Sequence, residues 1–230
     1  MTGSPPRRPD VRLYLVTGDV GPRRRLVDVV RSAVDGGVTL VQLRDKDAGP
    51  SRLAELYAEV RDAIAGSGVP VLLNDDADTA EAVRADGLHV GPDDLAPVEA
   101  RRRLGHDAVI GWSIHRVDQL REAAQLAAAV YVAASPVWPT PTKTDTTEPL
   151  GLTGVTQLRS RMPEALPLVA IGGIGPGNAA SVIAAGADGV AVVSAICGAE
   201  DPEAAARSLR TTIDRALDVR PARATSQEES

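Results

Sequence analysis

This sequence predicts an α/β protein folded as a single closed (β/α)8 barrel, the TIM-barrel class, and three observations carry the prediction. Eight short apolar, β-rich runs alternate with helix-like stretches along the whole chain. The turns from helix to strand are short, so successive strands run parallel with helices laid over them. Eight such units fit into about 210 residues, near the compact end of the barrel's range. An open doubly wound sheet is the competitor. Its mark would be GxGxxG in the first strand-to-helix turn, whereas TGDVGPRRR at 17–25 offers only GxxG.

Taken in order, the strand candidates are RLYLVT (12–17), VTLVQL (38–43), PVLLN (70–74), GLHVG (87–91), AVIGWS (108–113), AVYVAA (129–134), PLVAIG (167–172) and GVAVVS (189–194). Helices are expected over Arg24 to Asp35, Ser51 to Ala65, Asp78 to Ala85, Asn178 to Ala185 and Pro202 to Leu217. An Asp-Gly pair recurs before three of the strands, at Asp35-Gly36, Asp86-Gly87 and Asp188-Gly189. The expected role of each glycine is to stop the preceding helix in the left-handed conformation. Residues 1–10 and 218–230, rich in Pro, Arg and Ser, read as disordered tails around a catalytic domain at 11–217.

Composition narrows the class. Of 230 residues 43% are hydrophobic and 24% charged, the profile of a soluble globular chain. Aromatics are 2% with no Phe, so the core is expected to be Val, Leu, Ile and Ala. One cysteine, Cys197, excludes an intramolecular disulfide and a Cys-rich metal cluster, and it fits a cytoplasmic location. No apolar run approaches the roughly 20 residues of a membrane span. A net charge of −6 argues against nucleic acid as a partner but leaves room for a small anion held by local cations. Small-molecule substrates are therefore the expected partners, with no membrane and with a homo-oligomer left open.

In a barrel, function sits at the carboxyl ends of the strands. Both lysines of the chain, Lys46 and Lys143, and both asparagines, Asn74 and Asn178, fall at or just beyond such ends. QLRDK (42–46) sets Gln42 and Arg44 on one face of a strand end with Lys46 following, which suits a diphosphate. NDD (74–76) and GPDD (91–94) end neighbouring strands, so Asp75 and Asp94 can approach. Two carboxylates so placed repel unless a cation lies between them, and Mg²⁺ takes one or two carboxylates plus substrate phosphate oxygens. Asp76, Asp78 and Asp93 are expected to cap helices.

SPVWPTPTKTDTTEP (135–149) has neither helical nor strand period, and a loop of that length is expected to be a functional lid. It offers Thr140, Thr142 and Lys143 on a backbone stiffened by Pro139 and Pro141. Gly172-Gly173 and the stretch around Val193 and Ser194 end strands seven and eight, where barrels commonly bind phosphate through backbone N–H groups. The arginines at 23–25 and 101–103 read as solvated helix surface. His106 reads as a loop residue and Cys197 as packing. For His89, a structural place inside the barrel and a ligand contact are both open.

The ordered set VQLRDK, LLNDD, DGLHVGPDD, GWSIH, SPVWPTPTK, AIGGI with Asn178 following, and GADGVAVVSAI resembles the thiamine-phosphate synthase family across residues 12–215. The resemblance implies a (β/α)8 barrel transferase. Its reaction joins 4-amino-2-methyl-5-hydroxymethylpyrimidine diphosphate to thiazole phosphate, giving thiamine monophosphate and pyrophosphate. It further implies that Gln42 and Ser113 orient the aminopyrimidine, while Arg44, Lys46, Asn74 and Lys143 hold the diphosphate. Asp75 and Asp94 would carry Mg²⁺, the one implied cofactor. Thr140, Thr142, Gly173, Val193 and Ser194 would bind the thiazole phosphate, and Lys143, Ser113 and Arg44 form the catalytic set. Trp138, Ser135 and Asp45 depart from the family's usual Phe, Gly and Glu without removing a required group. Three rivals share the barrel: a thiazole tautomerase, which has no diphosphate to bind and no use for Lys46, Asp75, Asp94 and Lys143 together; a phosphosugar isomerase or synthase, which should show a catalytic Glu or Lys within a strand; and a non-catalytic thiamine-phosphate sensor.

Overall fold

A computed structural model describes residues 8–21, 25–45, 47–140 and 148–220. The strands are β1 (Leu13–Val16), β2 (Leu40–Leu43), β3 (Val71–Asn74), β4 (Gly87–Val90), β5 (Val109–Ile114), β6 (Tyr131–Ala134), β7 (Leu168–Ile171) and β8 (Gly189–Val192). They close in chain order into a barrel, every pair parallel, with β8 returning to β1. The helices are α1 (Leu26–Asp35), α2 (Pro50–Ala63), α3 (Ala77–Ala82), α4 (Pro97–Leu104), α5 (Ala123–Ala128), α6 (Gly151–Arg161), α7 (Ala179–Ala184), α8 (Ser194–Cys197) and α9 (Pro202–Asp218). A short 3-10 helix at Val117–Arg121 precedes α5.

Alternation along the strands divides the core in two. Leu13, Leu15, Val41, Leu43, Leu88 and Ile110 pack outward against residues such as Val30, Leu56 and Leu209 of the helices. Tyr14, Leu40, Leu72, Val109, Tyr131 and Val169 form a separate cluster that fills the barrel. Strands buried on both faces need apolar side chains on both, which explains why β1, β2, β4 and β8 are buried along their whole length. The aliphatic core expected from composition needs one correction. Tyr14 and Tyr131 are among the largest fully buried side chains, so two of the three tyrosines lie at the centre.

At Asp86-Gly87 and Asp188-Gly189 the recurring pair works differently from the helix stop expected. Gly87 and Gly189 are strand residues, and a Cβ on either would fall within 2 Å of a backbone oxygen, that of Val109 or of Val11. These glycines let adjacent chain segments close up at the foot of the barrel. At the first site the expectation holds, since Gly37 of Asp35-Gly36-Gly37 is left-handed just past α1; at the other two the left-handed residues are Arg84 and Gly186, just past α3 and α7, and not Gly87 or Gly189. The aspartates start the neighbouring strands: Asp86 Oδ2 accepts from Val71 N at 2.8 Å, and Asp188 Oδ2 from Leu168 N at 2.9 Å.

Two other expectations are corrected. Asp76 caps α3 by accepting from Thr79 N, but Asp78 sits in the first turn and pairs with Arg103, while α4 begins at Ala96 without a side-chain cap from Asp93. Arg101 is a staple, not solvated surface. Its guanidinium donates to the carbonyls of Gly105, His106, Ala108 and Ala128, tying the end of α4 to the start of β5 and the end of α5. At the two ends of the described chain, Arg8 Nη1 reaches Ala165 O and Arg220 pairs with Asp188 at 3.1 Å. Cys197 is buried, as its packing role requires.

Candidate active site

The carboxyl ends of the strands surround a cavity of ≈ 910 Å³. Of the residues singled out from sequence, Gln42, Arg44, Asn74, Asp75, Asp94, Ser113, Thr140, Gly173, Val193 and Ser194 all line it. Lys46, Thr142 and Lys143 lie outside the described residues.

Strand β2 delivers the first group. Gln42 points into the barrel and is buried, with Nε2 donating to Tyr14 Oη at 2.9 Å. Two residues on, Arg44 is fixed at the rim: its N–H donates to Thr17 Oγ1 at 2.9 Å, and that hydroxyl donates back to Arg44 O at 3.1 Å. Thr17 thus clamps the ends of β1 and β2, leaving the guanidinium to face the mouth.

The ends of β3 and β4 carry the carboxylates. Asp75 adopts a positive φ of 59° and donates its N–H to His89 O at 2.9 Å, which turns its side chain over the mouth. Asn74 Nδ2 donates to Asp75 Oδ2 at 2.5 Å. Asp94 is folded back by Gly91, whose N–H donates to Asp94 Oδ2 at 2.8 Å; a Cβ on Gly91 would stand 2.8 Å from that oxygen. Burial and the adjoining Asp94 carboxylate push Asp75 up to about 7, against relief from Asn74 and Arg44. Two carboxyl groups this close repel each other when both are ionised, and either a shared proton or a nearby cation relieves them. Among the described residues no three His, Cys, Asp or Glu gather into a group that could hold a metal ion.

Strand β5 contributes Ser113, whose Oγ is 2.9 Å from His89 Nε2. The other ring nitrogen, Nδ1, is 2.8 Å from Tyr131 Oη, which is 2.9 Å from Tyr14 Oη. Of the two places the sequence left open, His89 takes the structural one, bonded inside the barrel through both ring nitrogens, and it also lines the cavity. Tyr14 and Tyr131 beneath it were not legible as site residues. Alternation in RLYLVT and AVYVAA was the available signal, since it turns both side chains inward.

The loops after β6, β7 and β8 form the far wall. Residues 136–138 run beside the end of β7, with Val137 N donating to Ile171 O and Trp138 N to Gly172 O. Gly172 and Gly173 have φ of 108° and 65°, and Cβ atoms there would crowd Pro136 and Trp138 at 2.7 and 3.0 Å. Asn178 shapes the following turn, accepting from Gly175 N and donating to Gly173 O. Val193 leads into α8, so Ser194 opens that helix at the cavity wall.

Fold and cavity together are those of a (β/α)8 barrel with its polar cavity at the carboxyl ends of the strands, where enzymes of this architecture carry their active sites. The family described as thiamine monophosphate synthase matches residues 13–196, and the chain belongs to that family. A thiamine-phosphate synthase of Albidiferax ferrireducens is 46% identical over 205 residues, covering 89% of this chain and 92% of that protein. One of Moorella thermoacetica is 42% identical over 209 residues, covering 90% of this chain and 98% of that protein. Among solved structures, thiamine phosphate pyrophosphorylase from Pyrococcus furiosus is similar with a TM-score of 0.79 and 32% identity, covering 90% of this chain and 98% of that one. The activity is that of a thiamine-phosphate synthase, a transferase acting on small molecules.

Proposed function

We propose that the cavity joins 4-amino-2-methyl-5-hydroxymethylpyrimidine diphosphate to 4-methyl-5-(2-phosphoethyl)thiazole by a Mg²⁺-assisted dissociative substitution. The observation that carries this reading is the Asp75–Asp94 pair beside Arg44 at the mouth. A carboxylate pair costs free energy by itself and is relieved by a divalent cation that a diphosphate shares.

The chemistry asks little of a strong base. The C–O bond to diphosphate breaks with its electron pair leaving on oxygen, and the electron-rich aminopyrimidine stabilises the carbon cation. The thiazole nitrogen then supplies the pair for the new C–N bond. Gln42 and Ser113 orient the pyrimidine, while Arg44, Lys46, Asn74 and Lys143 hold the departing diphosphate and the three cations among them neutralise it. Asp75 and Asp94 would hold Mg²⁺, which when bound supplies further neutralisation of the leaving group. Thr140, Thr142, Gly173, Val193 and Ser194 hold the thiazole phosphate so that its nitrogen lies in line. The lid role expected of residues 135–149 would be to keep out water, which would otherwise capture the cation.

Among the described residues no helix is long and apolar enough to cross a membrane. A cytoplasmic site of action accords with a chain whose single cysteine, Cys197, is buried.

The deciding assay supplies both substrates with and without Mg²⁺ and follows pyrophosphate and thiamine monophosphate together. Equal amounts of both products, formed only with metal, are expected. Binding of thiamine monophosphate with no turnover would replace the synthase by a sensor.

A further inference from the structure

We propose that Tyr14, Tyr131 and His89 are positioning residues: a single-file hydrogen-bond relay that fixes which way Gln42 and Ser113 present donor and acceptor, and so selects an amino- over an oxo-pyrimidine. The inference rests on the reading that Gln42 and Ser113 face the pyrimidine.

The file has five members and four links. Gln42 Nε2 to Tyr14 Oη is 2.9 Å, Tyr14 Oη to Tyr131 Oη 2.9 Å, Tyr131 Oη to His89 Nδ1 2.8 Å, and His89 Nε2 to Ser113 Oγ 2.9 Å. Both tyrosines are buried at 1% and 0% exposure, whereas Gln42, His89 and Ser113 line the cavity. The ends of the file therefore face ligand and its middle is sealed from water.

Each phenol has one proton to give. Gln42 donates to Tyr14 Oη, so the Tyr14 proton goes on to Tyr131, and the Tyr131 proton to His89 Nδ1. An imidazole accepting at Nδ1 carries its proton on Nε2 and donates to Ser113 Oγ. The Ser113 proton is then left for the cavity, and Gln42 keeps Oε1 as its remaining acceptor. The opposite state needs the amide turned over and every link reversed. One end cannot switch without the other. Burial raises both phenols above their usual range, so each keeps the one proton it has to donate.

An acceptor at Gln42 and a donor at Ser113 complement an aminopyrimidine, whose amine donates while the adjacent ring nitrogen accepts. The 4-oxo analogue inverts both, offering a carbonyl and a ring N–H. Packing holds the file in register. The His89 and Tyr131 rings stack at 5.7 Å, and Tyr14 meets Tyr131 edge-on at 5.8 Å. Gly111 provides the space, since a Cβ there would stand 2.1 Å from Tyr131 Cζ and 2.6 Å from His89 Nδ1.

The test compares kcat/KM for the pyrimidine diphosphate and its 4-oxo analogue in the wild-type chain, Tyr131→Phe and Tyr14→Phe. The wild type should prefer the amine by about a hundredfold or more. Each variant keeps its ring but loses a hydroxyl and with it two of the four links, the Tyr14–Tyr131 link in both, and each should lower that preference by about tenfold with the thiazole-phosphate KM unchanged. A merely structural role would lower both substrates equally and leave the ratio intact; that result overturns the relay. Nitrogen-15 chemical shifts of His89 in the unmodified protein test the same polarity without a variant. An acceptor Nδ1 with a protonated Nε2 is expected, and the reverse tautomer overturns it. If the wild type releases no pyrophosphate from the amino substrate, the synthase mechanism fails, while the His89 tautomer still decides the relay.

Discussion

The carboxyl groups of Asp75 and Asp94 lie within hydrogen-bonding reach of each other across the ends of β3 and β4, and burial together with that proximity holds Asp75 up at about 7. A carboxyl raised in the folded chain binds more protons there than in the unfolded chain. Its stabilising effect is full below the unfolded value of 3.8 and is lost as pH rises to about 7. The mouth is open to water, which screens the repulsion to about 1–2 kcal/mol. Without Mg²⁺, melting temperature should therefore fall over that window, and Asp94→Asn should flatten the slope. Adding Mg²⁺ should stabilise the wild type more at pH 8 than at pH 5. Identical pH profiles for wild type and Asp94→Asn would refute the pair's electrostatic role.

Turnover gives an independent reading of the same pair. Asp94→Ala removes one of two carboxylates, so the Mg²⁺ concentration for half-maximal rate should rise about tenfold or more. A Mg²⁺ titration of pyrophosphate release measures it. Unchanged activity at limiting Mg²⁺ would remove Asp94 from the metal.

Lys143→Ala strands charge that develops on the departing diphosphate. A fall in kcat of about a hundredfold is expected, with thiazole-phosphate KM unaffected. Steady-state kinetics separate the two parameters, and a change confined to that KM would reassign Lys143 to the other substrate.

At the far wall, Gly173→Ala forces an L-residue to a φ of 65° and drives a Cβ to 3.0 Å from Trp138 Cβ. The left-handed backbone alone costs about 1–2 kcal/mol, so thiazole-phosphate KM should rise by about tenfold as the loop shifts. Ser194→Ala should stay close to wild type if its backbone N–H is the group that binds. A large loss in Ser194→Ala would mean that the hydroxyl takes part.

Stability should respond at the opposite end of the barrel. Asp188 accepts from Leu168 N at 2.9 Å and pairs with Arg159 and Arg220 at 3.4 and 3.1 Å. Asp188→Ala leaves a strand-end N–H and two guanidinium groups short of a partner, at a cost of about 1–3 kcal/mol. Chemical denaturation should show this loss, with kcat unchanged in protein that remains folded.

Much of this molecule is local in origin and therefore legible in the chain. The eight strands stand out because each is a short apolar run between turn signals, and their parallel closure follows from alternation with helices. Gln42, Asn74, Ser113 and Ser194 could be placed at one mouth because a barrel puts every strand's carboxyl end on the same side. The pairs Asp86-Gly87 and Asp188-Gly189 misled for a tertiary reason. Gly87 and Gly189 have no Cβ because Val109 and Val11 of neighbouring segments press against them, and those neighbours are invisible in the local sequence. Arg101 misled likewise, since its carbonyl partners converge only once α4, α5 and β5 pack.

Sequence alone thus determined the element order, the parallel barrel and the end of it that carries function, because those depend on periodicity and strand direction. Tertiary structure decided which inward side chains meet. Tyr14 and Tyr131 stand 117 residues apart, and only the register of a closed barrel brings their hydroxyls to 2.9 Å and joins them through His89 to Ser113. Alternation names the face a side chain takes; closure and shear choose the partner it finds there.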